Sequence, residues 1–408
     1  MATFWVQNAR KSGQIGHSIL RISRLTLNQI NSNSRRKIIT SCCCRGIHHK
    51  PVFVSLLKDK LKGSLNRSLG PCYSTNSHLF PKEVTSPEKL TQDEITALHQ
   101  NICKELITDE RSLQEVAQYY FDGKGKAFRP MLVLLTAGAC NTHTQGSNSK
   151  LVDTQRRIAM IAEMIHTASL MHDDVIDNAD TRRNKTAINE MWGQRKAILA
   201  GDFVLSVSSQ VLARIGNEEV VLILSQVIED LVRGEFMQLG SKEDENERFA
   251  HYLKKTFKKT ASLMAYSCQA VAILGGCSAE VCQIAYEYGR NTGMAFQLID
   301  DVLDFVSSDA AMGKPTAADL KLGLATGPVL FAAEKFPELD AMIMRRFSET
   351  GDVMAAREAV AKTEGIEQTR HIANQHSLEA QKQISKLHPS PERQALIELA
   401  QRVVTRIK

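Results

Sequence analysis

The sequence predicts an all-α protein, a single large helical bundle filling the last 326 of its 408 residues. Three observations carry that expectation. No proline occurs between Pro130 and Pro315, a gap of 184 residues, whereas a β-sandwich or barrel punctuates itself with turn residues every ~8–12 positions. Apolar residues in the body recur at helical spacing instead of alternating. No Gly-rich turn follows a strand-like run, so a nucleotide-binding α/β fold is not indicated. A hydrophobic share of 43% supplies a sizeable core, and no run of 18 uncharged apolar residues is present to span a membrane.

Charge divides the chain at its N-terminal side. Residues 1–82 hold 14 Lys/Arg and one acid, Asp59, while the remainder carries 37 basic and 44 acidic residues. The net +6 is therefore the sum of a +13 segment and a −7 body. An acidic body argues against a nucleic-acid partner. Residues 1–50 contain no Asp or Glu but include Arg10, Arg21, Arg24, Arg35, Arg36 and Arg45, with Ile15, Ile19, Leu20, Ile22, Leu25 and Leu27 between them. Arginine-rich, acid-free and weakly amphipathic is the composition of a mitochondrial transit peptide, and the unbroken apolar stretch of a secretory signal is missing. Residues 1–82 are expected to be presequence and linker, 83–408 the folded domain, and the mitochondrial matrix the destination. The 9 cysteines are scattered, odd in number and without zinc-ligand spacing, which fits a reducing compartment and small core residues.

Along the body, Leu106, Leu113, Val116 and Tyr120 keep one helical face. Ile158, Ile161, Ala162, Ile165, Ala168 and Ser169 define a second, running to Met171. Val220, Ile223, Leu224, Val227, Ile228 and Leu231 define a third. Loops are expected at Gly123–Gly125, Asn141–Ser149, Gly275-Gly276 and Met312–Pro315, and Pro389-Ser390-Pro391 separates the helices of a closing hairpin. About ten helices result.

Two short acidic motifs concentrate the chemistry: Asp173-Asp174-Val-Ile-Asp177, preceded by His172, and Asp300-Asp301-Val-Leu-Asp304. Each ends an apolar helical run. Asp173 and Asp177 share one helix face, as do Asp300 and Asp304, and like charges at that spacing destabilise a helix unless a cation compensates. Oxygen-only ligands favour Mg²⁺, which keeps several waters and is usually shared with phosphates. A lone aspartate triplet is ordinarily a solvated helix end; a repeated one points to a diphosphate–Mg²⁺ site that stabilises pyrophosphate leaving carbon. Cations able to complete it are Lys126 and Arg129, Arg182-Arg183, Lys259 beside Thr260, and Lys314, each unremarkable alone.

With these residues in place the chain resembles the trans-isoprenyl diphosphate synthases of the long-chain polyprenyl type. The resemblance runs from about residue 90 to the C-terminus. It rests on Gly125-Lys126-x-x-Arg129-Pro130, His166, the first aspartate motif with Arg182-Arg183, and Gly201-Asp202. Lys259-Thr260, Phe296-Gln297-x-x-Asp300-Asp301-x-x-Asp304, Gly313-Lys314 and Asp319-Leu320-x-x-Gly323-x-x-Thr326-x-Pro328 continue it. It implies a helical bundle around a central cavity. It also implies that Lys126, Arg129, His166 and Arg183 bind isopentenyl diphosphate, while Arg182, Lys259, Thr260 and Lys314 hold an allylic (farnesyl or geranylgeranyl) diphosphate. Asp173, Asp177 and Asp300 would lead the Mg²⁺ ligands, supported by Asp174, Asp301 and Asp304, with Gln297 alongside. The implied reaction ionises the allylic diphosphate, adds isopentenyl units and builds a long chain, such as decaprenyl, for ubiquinone. A dimer or heterotetramer with a second synthase subunit, and peripheral membrane association for product release, are implied as well. Two positions depart from the family: Ala127 stands where a second Arg is frequent, and Leu324 where a Lys is.

Product length has a physical handle. Helix side chains lean towards the N-terminus, so residues before Asp173 lie along the path of a growing tail. Ala168 and Ser169 are small and leave that path open, although small residues equally serve close helix crossing. Three other readings compete. A His-Asp phosphohydrolase would leave the second triplet unused. A terpene cyclase usually carries a different second motif. A non-catalytic subunit of a heteromeric synthase tends to lose aspartates retained here.

Overall fold

A computed structural model describes residues 86–123, 125–147, 149–239, 247–306 and 317–406, all within one unit, Thr75–Lys408. The presequence and linker expected over 1–82, and Lys314 with its loop, lie outside the described residues.

The all-α expectation holds. The long elements are α1 (Pro87–Glu105), α2 (Arg111–Gln118), α3 (Phe128–Gln145), α4 (Asp153–Ile176), α5 (Ile188–Trp192), α6 (Gln194–Ala213) and α7 (Glu218–Leu239). They continue through α8 (Arg248–Thr256), a π-helical turn Phe257–Ala261, α9 (Ser262–Leu274) and α10 (Ala279–Val306). Shorter helices follow: α11 (Ala318–Lys321), α12 (Gly327–Ala333), α13 (Glu338–Met344) and α14 (Asp352–Ala361), before the closing hairpin α15 (Gly365–Ile384) and α16 (Pro391–Thr405). These short segments carry the helix number past the ten expected. The only β structure among the described residues is a two-residue ribbon, β1 (Thr181–Arg182) against β2 (Lys185–Thr186).

Both ends of the domain start helices in the same way. Ser86 and Ser390 accept hydrogen bonds from the amides of Lys89 and Arg393 at 3.3 and 3.0 Å, and Pro87 and Pro391 supply the first helical residue. Two sequence expectations need correction. The face traced from Leu106 to Tyr120 belongs to two helices, because the chain turns at 107–110, where the Thr108 amide is bonded to Gln114. The loop expected from Asn141 begins only after Gln145. The buried Asn141 amide exchanges two 2.8 Å hydrogen bonds with Gln155 on α4, so a polar residue that would otherwise stop the helix is satisfied inside it.

The core is built around α4, α9 and α10. Ile158, Ile161, Met164, Ile165 and Met171 of α4 are fully enclosed against α6 and α9, each stabilising by ~1.5–3 kcal/mol when its side chain is wholly buried. On the other side, Met131, Leu132 and Leu135 of α3 meet Met264, Tyr288 and Leu396 in a second cluster. α6 is long and apolar enough to cross a membrane by composition alone, but 44% of that stretch is buried and it carries Asp202; it is a wall of the bundle. Gly201 lets α6 approach α4: a Cβ there would lie 2.4 Å from His172 Nε2. Gly293 does the same for α10, where a Cβ would sit 2.6 Å from the Cα of Ala261 in the π-helical turn.

Candidate active site

Both aspartate motifs fall at helix C-termini, Asp173-Asp174 in the last turn of α4 with Asp177 capping it, and Asp300–Asp304 in the last two turns of α10. Carboxylates there meet the negative end of the helix dipole as well as one another. That cost identifies the positions where the fold gains most from nearby positive charge.

The first motif splits by role. Asp174 is fully buried and structural: its oxygens accept from Tyr120 Oη at 2.7 Å and Arg182 Nε at 2.7 Å, while Tyr120 Oη accepts the Ile188 amide at 3.1 Å. Asp173 and Asp177 remain half-buried and accept no side-chain hydrogen bond among the described residues. Burial pushes the Asp173 carboxyl up to about 6, with Lys259 opposing and Glu235 and Asp177 adding; burial likewise raises Asp177. Lys259, from the π-helical turn, lies 2.5 Å from Glu235 on α7 and 3.3 Å from Gln238. Burial alone would lower its ammonium pKa, yet Asp173, Glu235 and Asp177 outweigh burial and raise it.

In the second motif Asp300 and Asp304 are half-buried and Asp301 is buried. Asp301 is buried between Tyr252, which donates to it, and Gln297, whose amide donates at 2.8 Å. Asp304 accepts the backbone amides of Ala318 and Asp319 at 3.0 and 3.2 Å and so holds the start of α11. Asp300 is raised by burial and drawn back down by Arg406, Arg129 and Lys126.

The π-helical turn joins the two motifs. Its Lys259 belongs to the Asp173–Asp177 group, and its Thr260 donates to Gln297 Oε1 at 2.8 Å, one bond from Asp301. A π-turn widens the helix by one residue and so presents both side chains, consistent with the enrichment of such turns at functional sites.

The remaining expected residues assemble beside Asp300. Arg129 Nη1 donates to His166 Nε2 at 2.9 Å. His166 is held well below its ordinary pKa by burial and then by Arg129 and Arg183, so it is neutral and accepts at Nε2. Arg183, on a left-handed backbone with φ 52°, lies 3.8 Å from Glu163 and covers Gly125, where a Cβ would stand 3.1 Å from its guanidinium. Lys126 is exposed at the rim. Arg182 donates its Nε to Asp174 at 2.7 Å, with its Nη2 2.5 Å from the same carboxylate. Ala127 takes the left-handed conformation, φ 46°, that starts α3. Ala168 is sealed in the core against neighbouring helices, while Ser169 is half-buried with its hydroxyl on the His166 carbonyl at 2.8 Å. Asp202 lies 3.4 Å from His172 and steadies it.

Sequence reasoning missed Glu235, Tyr120, Tyr252 and, above all, Arg406. That arginine, just past α16, lies 2.7 Å from Asp300, donates to the Phe296 carbonyl at 2.6 Å and stacks 4.0 Å over the Phe296 ring. A single basic residue near a C-terminus carries no local signal; only the return of α16 along α10 reveals it. Among the described residues, Nε of Arg129 and Nε of Arg406 are both buried without an acceptor. Buried N–H groups left so are costly.

The donor set also fits a hard divalent cation: carboxylate oxygens only, two of them without hydrogen-bond donors. Among the described residues no three His, Cys, Asp or Glu side chains converge tightly enough to hold a metal unaided. Water and phosphate oxygens would have to complete the coordination, as is usual for Mg²⁺.

A family model described as Polyprenyl synthetase matches residues 110–360. The chain is 61% identical over 328 residues to the human all trans-polyprenyl-diphosphate synthase PDSS1, covering 80% of this chain and 79% of that one. It is 41% identical over 344 residues to a rice protein named mitochondrial solanesyl-diphosphate synthase 1, with 80% of each covered. Among solved structures, a polyprenyl synthase from Caulobacter crescentus, complexed with calcium and isoprenyl diphosphate, superposes with a TM-score of 0.71. Identity to it is 28%, over 80% of this chain and all of the other.

Proposed function

The chain belongs to the polyprenyl synthetase family, and on that premise we propose that the space between the α4 and α10 aspartates is where an allylic diphosphate loses pyrophosphate to an incoming isopentenyl diphosphate. The enzyme is a trans-polyprenyl diphosphate synthase, a prenyltransferase that condenses isopentenyl units consecutively, 1′ to 4. The observation that carries the assignment of parts is the π-helical turn: one pair of residues, Lys259-Thr260, is tied to both aspartate groups.

In this reading Asp173, Asp177 and Asp300 would hold Mg²⁺, which would supply Lewis-acid neutralisation of the departing pyrophosphate. Asp174, Asp301 and Asp304 fix the shape of the walls through Arg182, Tyr252, Gln297 and the α11 amides. Lys259 puts positive charge where the leaving group gains negative charge, so it acts most strongly in the transition state; Lys314, assigned to the same diphosphate by resemblance, lies outside the described residues. Arg129, Arg183, Lys126 and Arg406 receive the isopentenyl diphosphate; neutral His166 orients Arg129 and contributes no charge. The isopentenyl double bond attacks the allylic carbocation, and the proton then lost goes to the pyrophosphate oxygens, so the protein need offer no base.

The folded domain spans 83–408, and 1–82 directs the chain to mitochondria, specifically the matrix, where the polyprenyl product becomes the ubiquinone side chain. Ile198 and Leu199 on α6, with Leu222, Val232 and Phe236 on α7, are large exposed apolar side chains, Phe236 being 72% exposed. Such a surface supports a dimer or a heterotetramer with a second synthase subunit, and tail release at a membrane surface. The test is product sizing after incubation with farnesyl diphosphate, isopentenyl diphosphate and Mg²⁺, alone and with a candidate partner subunit. Long-chain products in either arm support the reading, whereas pyrophosphate release without elongation contradicts it.

A further inference from the structure

The π-helical turn Phe257–Ala261 carries two consecutive lysines, and only the second has a place in the proposed chemistry. Lys258 points elsewhere. Its Nζ donates to Asp230 on α7 in a pair withdrawn from solvent, the lysine side chain 13% and the aspartate 4% exposed. Gln226 donates to the same Asp230 oxygen at 3.5 Å. Gln226, Asp230, Gly234 and Gln238 follow one another at i,i+4 and so form one stripe of α7. That stripe lies along the turn. Asp230 takes Lys258, Gln238 lies 3.3 Å from Lys259 Nζ, and a Cβ on Gly234 would stand 3.1 Å from the Lys259 amide nitrogen.

A π-turn departs from the favoured helix, so surrounding contacts have to hold it. Here the Ser262 amide reaches back to the Phe257 carbonyl. The Ser262 hydroxyl donates to the Lys258 carbonyl at 2.8 Å, the acceptor that the amide would take in an α-helix. Lys258 is thus fixed twice, by its carbonyl within the helix and by its ammonium across to α7. Beyond it Lys259 Nζ falls 2.5 Å from Glu235, and Thr260 donates to Gln297 at 2.8 Å. A buried ion pair contributes little net stability, because desolvation of both charges offsets their attraction. What it fixes is direction. A slip of one residue in the turn would rotate Lys259 by about 100°, away from the aspartates.

We propose that Asp230 and Lys258 are positioning residues for condensation: their buried pair holds the π-helical turn in register on α7 and so keeps Lys259 and Thr260 at the diphosphate site. On the reading of Lys259 as a cation for the departing pyrophosphate, both act through it and neither touches substrate. Removing one partner strands the other charge in a dry site and frees the turn to shift. Removing both restores packing without restoring direction.

The test is a kinetic double-mutant cycle on the full chain, each variant assayed at a temperature where circular dichroism shows it folded. Asp230→Asn is expected to lower kcat ~10–10²-fold, the scale of a misplaced catalytic group, with KM for isopentenyl diphosphate within about twofold of the parent's. In a Lys259→Ala background the same change is expected to lower kcat less than about twofold, because Lys259 carries its effect. Lys258→Arg keeps charge and partner and is expected to retain most of the parent's rate. Asp230→Leu combined with Lys258→Met is expected to melt close to the parent while kcat stays as low as in Asp230→Asn. Parent-like kcat in Asp230→Asn, equal losses in the two backgrounds, or recovery of kcat along with the midpoint in the apolar pair would overturn the proposal. A parent that never elongates would remove the reading of the site itself, and the positioning role with it. A parent that elongates beside a fully active Asp230→Asn would remove the positioning role alone.

Discussion

The two aspartate motifs share one spelling but not one fate. At the end of α4, two of the three carboxylates are left open and one is sunk into a Tyr120–Arg182 bracket. At the end of α10, one faces the site, already paired with Arg406, and two are occupied by Tyr252, Gln297 and backbone amides. The difference teaches that an acidic triplet is a kit whose members divide between chemistry and architecture. It also makes the α4 end the more exposed to loss of metal, and the α10 end the more dependent on its structural partners.

The largest effect should come from the open pair. Asp173→Asn and Asp177→Asn are expected to lower kcat by at least 10²–10³-fold, about the scale of removing one transition-state charge stabiliser; wild-type turnover in either variant would break the comparison. Asp174→Asn should act differently, unfolding the protein more easily by roughly 1–3 kcal/mol because it weakens the buried acceptor shared by Tyr120 and half-buried Arg182; denaturant melts check it. Asp304→Ala should be milder still, about 0.5–2 kcal/mol, the cost of losing a helix-start acceptor, with kcat reduced less than in the Asp173 variant. Arg406→Ala should raise KM for isopentenyl diphosphate more than it lowers kcat, since it removes a cation 2.7 Å from Asp300 beside the proposed diphosphate site. Ala168→Phe should shorten the product, and an unchanged product length in that variant would leave Ala168 only its packing role in the core.

A smaller effect concerns pH. The Asp173 carboxyl, raised to about 6 in the folded chain, binds its proton more tightly there than when unfolded. Its contribution to stability is therefore complete below about pH 4 and lost as pH rises through about 6. In the metal-free protein, Asp173→Asn should accordingly gain in Tm over the parent as pH goes from about 4 to about 7. A constant difference across that range would show that Asp173 is not desolvated as described.

Much of this was legible without coordinates, because helical periodicity and the repeated Asp-Asp-x-x-Asp spacing are local signals. The helix class and the positions of both motifs follow from them, whereas the gathering of Arg129, His166 and Arg183 was implied by the resemblance. What stayed hidden depends on contacts between distant segments. Arg406 reaches Asp300 across 106 positions of sequence, and Glu235 meets Lys259 only because α7 packs beside the π-helical turn. Local pattern also could not foresee that Asn141 would be satisfied by Gln155 and let α3 continue. The division of the six aspartates came from the resemblance and not from local pattern, and its physical basis, Tyr120, Tyr252 and the α11 amides, lies in distant contacts.

The most direct measurement is the Mg²⁺ dependence of isopentenyl condensation in the parent, Asp173→Asn and Asp304→Ala, followed by product sizing. The account predicts saturable activation by Mg²⁺ in the parent, abolished by a chelator. It predicts near-complete loss in Asp173→Asn that added Mg²⁺ does not restore, and retained activation in Asp304→Ala. Equal loss in both variants, or elongation that persists in the chelator, would contradict it.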